Sequence, residues 1–224
     1  MQVTTDKIDI RQAPSAAAGA RAPDHDHWTW LAKDAAFPTG WQGKAIVDLG
    51  CGSGYLCQQW VSGGARHVVG VDLLSPDVRP EGWQFQTLNL DEASWPAQLA
   101  RSPSTNGAQP QRFDLVCAFD LLEHLDSPVQ FLNQCRALLS PGGKLVLSTP
   151  NTTSWERILR PERWSGATDP QHKILFNRYS LDFLLRRVGF QPKVLRAPVR
   201  RLEAMGIPCP QVGAQIFCVA SVAG

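Results

Sequence analysis

The chain lacks any apolar run that approaches the ~18 to 20 residues needed to cross a lipid bilayer. Residues 1–10 alternate polar and apolar side chains and show no apolar core of an export signal. The six cysteines form no C-x-x-C pair, which disfavours a zinc site and indicates a reducing compartment. These absences predict a cytoplasmic protein with no stable membrane insertion and no bound metal.

The net charge is small, but the charged side chains are unevenly distributed along the chain. The 224 residues carry a formal charge of +2, yet residues 1–151 have 11 basic and 15 acidic side chains, against 11 and 5 in residues 152–224. A basic C-terminal part suits an anionic substrate or partner, although a solvated basic surface is the simpler explanation. At roughly 150 residues per domain, the length predicts one main domain with appendages.

Short apolar runs bounded by turn residues predict buried strands at 45–49, 67–73, 85–90, 114–119 and 144–148. The segments between them carry helix signals. The clearest helix begins at Ser127-Pro128 and stops at 141–143 (PGG). Alternating strands and helices predict a parallel sheet covered by helices on both faces.

The C-terminal third predicts one helix and two further strands. Ser180 is the expected N-cap of a helix that ends at Gly189, and strands are expected at 193–199 and 215–222. A Pro-containing stretch joins these strands, so we expect them to pair antiparallel. Segments 1–24 and 101–112 have the composition of a flexible arm and a mobile loop.

The most informative stretch is a predicted strand that runs into a glycine-rich turn and a helix, residues 45–56 (AIVDLGCGSGYL). Glycines allow a sharp turn and let peptide groups approach a ligand that a Cβ would exclude. A second predicted strand ends in Asp72, 22 residues after Gly50, where a carboxylate can accept hydrogen bonds from a ribose diol. The pattern favours a nucleoside cofactor.

Two residues indicate which nucleoside cofactor this is. Tyr55 occupies the third glycine position of the dinucleotide fingerprint and is too large for the close helix approach required there. Asp48 would repel a pyrophosphate but suits a ligand that carries an ammonium and a sulfonium. An NAD-dependent oxidoreductase is therefore the weaker alternative, and a non-catalytic nucleoside-binding module stays open.

These residues resemble the class I S-adenosylmethionine-dependent methyltransferases. The similar segments are 48–54 (DLGCGSG), 70–72 (GVD), 113–116 (FDLV) with 122–125 (LEHL), and 138–145 (LLSPGGKL). The likeness covers about residues 43–151. Within this family the chain is most similar to small-molecule methyltransferases, including ubiquinone-pathway O-methyltransferases. The residues that carry this similarity are the E-H-L turn, 148–151 (STPN) and the later His172, Phe176 and Gly189-Phe190.

The resemblance implies a Rossmann-like, doubly wound α/β fold with seven strands in the order 3-2-1-4-5-7-6, strand 7 being antiparallel. It implies an N-terminal arm and lid helix at 1–42 and a methyltransferase domain at 43–224 with a lid insertion at about 151–177. It also implies S-adenosylmethionine as cofactor, with Asp72 on the ribose and the glycine loop under the methionine part. The implied cofactor-binding residues are Asp48, Gly50, Cys51, Gly52, Gly54, Asp72, Leu73, Asn89, Leu90 and Phe119.

Within this set, Asn89 and Leu90 are expected to hold the adenine, with Asp91 as the alternative partner if the register shifts. Phe119 and Asp120 are expected beside the methionine end, facing the acceptor. If the acceptor is a hydroxyl it must lose a proton, and His124 and His172 are the rival candidates for the base.

The acceptor is expected to be a small molecule. Five tryptophans either line a pocket for an aromatic acceptor or pack the arm and lid against the core. They are Trp28, Trp30, Trp41, Trp155 and Trp164. Arg157, Arg160, Arg163 and Lys173 would suit an anionic acceptor, and no RNA-binding module is visible. Residues 24–27 (DHDH) have a metal-like composition, but we expect them to be solvated.

Overall fold

The structure, a computed structural model, describes residues 40–76, 81–100, 112–199, 202, 205–207 and 210–223. The arm predicted at 1–24, the DHDH segment, Trp28 and Trp30 lie outside the described residues. So does the loop predicted at 101–112, apart from Arg112.

Seven strands and six α-helices are described. The strands are β1 (Ala45–Leu49), β2 (His67–Asp72), β3 (Gln84–Thr87), β4 (Phe113–Phe119), β5 (Leu139–Pro150), β6 (Phe190–Arg196) and β7 (Gln215–Val222). The helices are α1 (Tyr55–Ser62), α2 (Trp95–Ala100), α3 (Pro128–Leu138), α4 (Trp155–Leu159), α5 (Ser165–Thr168) and α6 (Arg178–Arg187). Single 3₁₀ turns are formed by Leu122–His124 and Pro161–Arg163.

The strands form one sheet in the order β3-β2-β1-β4-β5-β7-β6. The pairs among β1 to β5 are parallel, whereas β7 pairs antiparallel with both β5 and β6. This is the predicted sheet, including its antiparallel seventh strand. The strand order reverses between β1 and β4, and in open α/β sheets ligands bind at the carboxyl ends of the strands at such a switch point.

The sheet forms because its central strands are apolar on both sides. All five residues of β1 are buried, and hydrophobic clusters pack on each face of the sheet, one around Phe131 and Leu147 and the other around Trp60 and Val146. Each such side chain contributes about 1.5 to 3 kcal/mol when fully buried. A rigid central sheet therefore fixes the loops that follow β1, β2, β4 and β5.

Helix α3 begins as predicted, with Ser127 as N-cap and Pro128 in the first turn; the Ser127 hydroxyl oxygen accepts from the N–H of Gln130 at 3.4 Å. The predicted N-cap of α6 is wrong. Asn177, not Ser180, caps that helix, because its side-chain oxygen accepts from the N–H of Ser180 at 2.8 Å. The Ser180 hydroxyl in turn accepts from the N–H of Asn177 at 3.0 Å, which completes a capping box.

Three predicted strands have bounds that differ from the structure by three residues or more. Strand β6 begins and ends three residues earlier than predicted, because Phe190–Pro192 pair with the end of β7. Strand β3 ends at Thr87, before the predicted 88–90. Strand β5 starts at Leu139, directly after α3 and before the predicted 144, since Leu139 pairs with Phe113.

Within the residues that the structure describes, every helix is too short or too polar to span a bilayer.

Candidate active site

The buried polar side chains of the described residues collect at one edge of the sheet. They are Asp48, Glu123, Ser148, Thr149, Asn151 and Ser154, and each lies at or just beyond the carboxyl end of β1, β4 or β5. Burial of polar groups costs free energy unless they are bonded or serve a ligand. Their concentration at the topological switch point marks the candidate site.

The glycine-rich turn after β1 has a left-handed backbone conformation, which residues other than glycine adopt only with strain. Gly50, Gly52 and Gly54 have φ of +78°, +51° and +77°. A Cβ on Gly54 would lie 2.3 Å from the Trp83 ring, so packing demands glycine there, whereas a Cβ on Gly52 would meet nothing within 4 Å. The turn is thus tightly packed at Gly54 and open at Gly52, which leaves room for a ligand against its peptide groups.

Asp72, at the end of β2, ties this turn to the sheet. Its Oδ2 accepts from the N–H of Gly52 at 2.8 Å, and its Oδ1 accepts from the N–H of Leu74 at 3.2 Å. Leu73 between them is exposed. A carboxylate has about four acceptor positions, so Asp72 retains capacity for a ribose diol.

Asp48 lies beneath the turn and is only 3% exposed. Its Oδ2 accepts a long bond from the Cys57 thiol, at 3.9 Å. Burial, and secondarily the charge of Asp72, raises the pKa of Asp48 to about 8. Cys51, in the turn itself, is also buried. A cationic ligand would offset the charge of Asp72 and favour ionisation of Asp48, so these residues fit S-adenosylmethionine and disfavour a pyrophosphate.

The expected adenine segment follows β3, beside Asp72. Thr87 pairs with Asp72, and the N–H of Leu88 donates to the Asp72 carbonyl at 3.1 Å, so residues 89–90 leave the sheet next to that carboxylate. The side-chain oxygen of Asn89 accepts from the N–H of Asp91 at 3.1 Å, and Leu90 is buried.

Asp91, the alternative adenine partner, is engaged elsewhere. One of its carboxylate oxygens accepts from the N–H of Asp126 at 2.7 Å, and the other accepts from Nζ of Lys173 at 3.3 Å. The side-chain oxygens of Asn89 and Asp91 thus each already accept a bond, and the adenine partner stays a prediction.

The chain after β4 faces the glycine turn. A Cβ on Gly50 would lie 3.2 Å from Cδ1 of Leu121, and Phe119 is buried at the strand end. Asp120 is the one non-glycine residue with positive φ (46°) among the described residues, a conformation that stores about 1 to 3 kcal/mol of strain. Its carboxylate accepts from the Ser148 hydroxyl and from the Gln215 amide, both at 2.7 Å.

Glu123 is the most unusual residue of the site, since it is fully buried. Its Oε2 accepts from the Thr149 hydroxyl at 2.9 Å, while its Oε1 has no hydrogen-bond partner among the described residues. Burial, and then the charge of Asp120, raises the pKa of Glu123 to about 8; burial likewise raises the pKa of Asp120.

His124 and His172, the two alternative bases predicted from the sequence, contact each other. Their ring centroids lie 4.6 Å apart, at 59° between planes. Nε2 of His172 lies 4.0 Å from Oε1 of Glu123 and 3.8 Å from Oδ2 of Asp169. Burial, followed by the charge of His172, lowers the pKa of His124. The structure thus joins both candidates and Glu123 in one cluster.

A ligand atom from each of Glu123, His124 and His172 lies within 4.8 Å of the other two. That spacing would also admit a divalent cation, so the predicted absence of a metal stays a prediction.

The segment 151–177 is attached to this cluster. The N–H groups of Lys173 and Ile174 donate to the Glu123 carbonyl at 2.8 and 3.2 Å. Nζ of Lys173 pairs with Asp126 at 2.8 Å and with Asp91 at 3.3 Å, so this cation is already neutralised.

The aromatic and basic residues expected around the acceptor are dispersed. Trp41 packs against Gly63 at the end of α1, Trp164 is buried within 151–177, and Trp155 is exposed. Arg157 donates to the Thr152 carbonyl at 2.9 Å and lies 6.0 Å from the centroid of the Trp164 ring. Trp41 is therefore a core residue, and Arg157 is engaged within 151–177.

The sequence prediction missed Gln215, Thr149 and Asp169 as parts of the site. Gln215 begins a predicted strand and Thr149 directly follows one, and a polar residue at a strand end carries no local signal. Their roles arise because antiparallel β7 brings Gln215 beside Pro150, at the same edge as Asp120.

A family model described as "Methyltransferase domain" matches residues 30–193, more than half of the chain. The ubiquinone biosynthesis O-methyltransferase of Coxiella burnetii is 35% identical over 112 residues, 49% of this chain and 45% of that protein. The ubiquinone biosynthesis O-methyltransferase of Cereibacter sphaeroides is 31% identical over 120 residues, which are 53% of this chain and 46% of that protein. The chain thus spans about half the length of the curated relatives it matches.

A solved structure of an S-adenosylmethionine-dependent methyltransferase from Mesorhizobium loti has a TM-score of 0.58 at 21% identity, covering 85% of this chain and 96% of that one. This likeness shows the shared fold. The residues matched by the family model include the glycine turn, Asp72 and both histidines. The resemblance to the S-adenosylmethionine-dependent methyltransferases is therefore confirmed, and the chain belongs to the methyltransferase-domain family.

Proposed function

We propose that this protein transfers a methyl group from S-adenosylmethionine to a hydroxyl group of a small molecule. One observation carries the proposal: the open glycine turn follows β1 and the Glu123–His124 part of the cluster follows its neighbour β4, and a Cβ on Gly50 would lie 3.2 Å from Cδ1 of Leu121, two residues before Glu123. A donor site therefore adjoins groups that can remove a proton. The curated relatives are named O-methyltransferases, which supports oxygen as the methylated atom.

Methyl transfer from a sulfonium is an in-line displacement that needs alignment and exclusion of water more than covalent help. Asp48 and Asp72 would hold the cationic donor, with the open face of Gly52 against it. Asn89 and Leu90 would bind its adenine. The 151–177 segment would serve as the lid over the acceptor, since it is already attached to Glu123.

The fold alone does not decide which atom is methylated. A solved 1,6-didemethyltoxoflavin-N1-methyltransferase from Burkholderia thailandensis shares it, with a TM-score of 0.54 at 19% identity over 89% of this chain and 84% of that one. We infer oxygen because a neutral hydroxyl must lose a proton, and histidines next to the donor site can accept it. Exposed Arg160 and Arg163 would suit an anionic acceptor.

The test is turnover with methyl-labelled S-adenosylmethionine and a panel of phenols, alcohols, amines and carboxylic acids. We expect label in a phenol or alcohol, and a loss of ~10²-fold or more in kcat for variants of the histidine that acts as base, His124→Gln or His172→Gln. His67→Gln, at the other end of the sheet, is the matched control and should keep full turnover. Labelling of amines alone would contradict oxygen, and binding without any turnover would favour a non-catalytic nucleoside-binding module.

A further inference from the structure

We propose that Lys173 is a positioning residue that couples the donor side of the site to the acceptor side. Its ammonium group joins the segment expected to bind adenine to the 151–177 segment, so that cofactor binding and docking of that segment favour each other. The inference rests on the proposed function and adds a physical connection between its two binding sites. Lys173 needs no contact with cofactor or acceptor, because it acts through Asp91 and Asp126.

Asp91 connects three separate parts of the chain. It lies two residues after Asn89, and its N–H donates to the side-chain oxygen of Asn89 at 3.1 Å. Its Oδ1 accepts from the N–H of Asp126 at 2.7 Å, and its Oδ2 accepts from Nζ of Lys173 at 3.3 Å. The expected adenine segment, the connection between β4 and α3, and the 151–177 segment therefore meet at one carboxylate.

The ammonium group of Lys173 bridges two carboxylates. Nζ lies 2.8 Å from Oδ1 of Asp126, the distance of a charge-assisted hydrogen bond, and 3.3 Å from Oδ2 of Asp91. The side chains of Lys173 and Asp91 are 43% and 26% exposed, so solvent and salt screen this pair only in part. Without the cation the two neighbouring aspartates would repel each other, and the junction would loosen.

The main chain of Lys173 is bound to the same connection as its side chain. The N–H groups of Lys173 and Ile174 donate to the Glu123 carbonyl at 2.8 and 3.2 Å. Glu123 and Asp126 both lie between β4 and α3, so backbone and side chain hold this part of the 151–177 segment at two adjacent points. Loss of the ion pairs would leave the backbone bonds alone to keep the segment docked.

Helix α3 fixes the residues that follow Asp91. Nε2 of Gln130 donates to the Asp91 carbonyl at 3.4 Å, and Nε2 of Gln134 donates to the Ala93 carbonyl at 3.0 Å. Oε1 of Gln134 also accepts from Nε1 of Trp95 at 2.8 Å. Because this side is already fixed, a ligand at 89–90 restricts the groups of Asp91 that remain, namely its N–H and its carboxylate.

Coupling then follows from thermodynamic linkage. A ligand that restricts Asp91 to the position that binds Lys173 favours the docked 151–177 segment, and the docked segment raises the affinity for that ligand by the same factor. Exposed and half-exposed ion pairs change an equilibrium by up to ~5-fold, so we expect a coupling of ~2- to 5-fold. The cofactor would thus prepare the acceptor side before the acceptor binds.

The test is hydrogen–deuterium exchange of the full-length protein with and without saturating S-adenosylhomocysteine. The amides of Lys173 and Ile174 report undocking, because they donate to the Glu123 carbonyl. In the wild type we expect the ligand to slow their exchange by ~2- to 5-fold. Lys173→Met removes the charge and keeps the backbone bonds, so this slowing should be lost, and calorimetry should show an affinity lower by the same factor. Lys173→Arg should restore both.

Lys193→Met is the matched control and should behave as the wild type, since Nζ of Lys193 lies 3.3 Å from Oε1 of Gln191 on the edge strand β6. The wild type in ~1 M NaCl tests the same ion pairs without a substitution, and the slowing should weaken there.

Three results would overturn the proposal. They are a slowing that persists unchanged in Lys173→Met or in high salt, a wild type that binds S-adenosylhomocysteine without any slowing, and a Lys173→Met protein whose exchange rises equally with and without the ligand, as a merely structural role predicts. A wild type that does not bind S-adenosylhomocysteine in the calorimeter would refute the donor site itself, and this inference with it. Calorimetry therefore separates failure of the proposed function from failure of the coupling alone.

Discussion

Substitution of Asp48 by asparagine should stabilise the protein and weaken its cofactor binding at the same time. In the unfolded chain this carboxyl has its ordinary pKa of 3.8, whereas burial raises its pKa to about 8 in the folded chain. The folded state therefore holds an extra proton between these values, and the free energy of unfolding falls as the pH rises through that window. Asparagine carries no charge and escapes this loss.

The size of the effect follows from the pKa difference. Each pKa unit corresponds to about 1.4 kcal/mol, so the mismatch at pH 7 costs the wild type up to about 4 kcal/mol. For a chain of this size each kcal/mol shifts Tm by about 2 to 4 °C. Asp48→Asn should therefore unfold several degrees higher than wild type at pH 7, and the difference should shrink towards pH 4.

The assay is thermal unfolding followed by circular dichroism at several pH values, together with calorimetric titration of S-adenosylhomocysteine and S-adenosylmethionine. Asp114→Asn is the matched control, because Asp114 lies at the opposite end of the sheet and accepts from the N–H of Ala45 at 2.8 Å, a bond that an amide oxygen can also accept. The control should show no pH-dependent stabilisation and no loss of affinity. An Asp48→Asn protein of lower Tm at every pH, with unchanged cofactor affinity, would refute the reasoning.

Three further predictions follow from the same turn. Asp72→Ala should lower cofactor affinity by ~10-fold or more with little change in Tm, since each hydrogen bond to a charged group is worth about 1.5 to 3 kcal/mol; undiminished binding by calorimetry would refute the ribose assignment. Gly54→Ala should lower Tm more than Gly52→Ala, because its Cβ would lie 2.3 Å from the Trp83 ring, and equal losses would contradict this packing. Near pH 7, cofactor binding should release a proton from Asp48, measured as a dependence of the binding enthalpy on the ionisation enthalpy of the buffer; buffer-independent enthalpies would argue against it.

Much of the sheet could be predicted because its central strands are buried on both faces and therefore appear as apolar runs. Strand β6 departs from that rule. Only Phe190 is buried, the other residues are half-buried or exposed, and Pro192 interrupts them, so the apolar signal begins later than the pairing does. For helix α6, Asn177 and Ser180 both have capping side chains, and only the extended backbone at Asn177 shows which of them is the N-cap.

The candidate site also has one part that could be predicted from the sequence and one part that could not. The glycine turn and its two acids are close in sequence or follow consecutive strands, so their spacing predicts their convergence. The contact between His124 and His172, and the bond from Gln215 to Asp120 across 95 residues, depend on how the 151–177 segment and β7 pack. No local pattern encodes such contacts, which is why the two histidines look like rivals in the sequence and are neighbours in the fold.

Calorimetric titration of the wild-type protein with S-adenosylhomocysteine, beside NAD, tests the central claim most directly. If the turn at Gly50–Gly54 and the carboxylates of Asp48 and Asp72 form a methyl-donor site, S-adenosylhomocysteine binds at one site per chain, Asp72→Ala weakens it, and NAD does not bind. Binding of NAD without binding of S-adenosylhomocysteine would contradict the account.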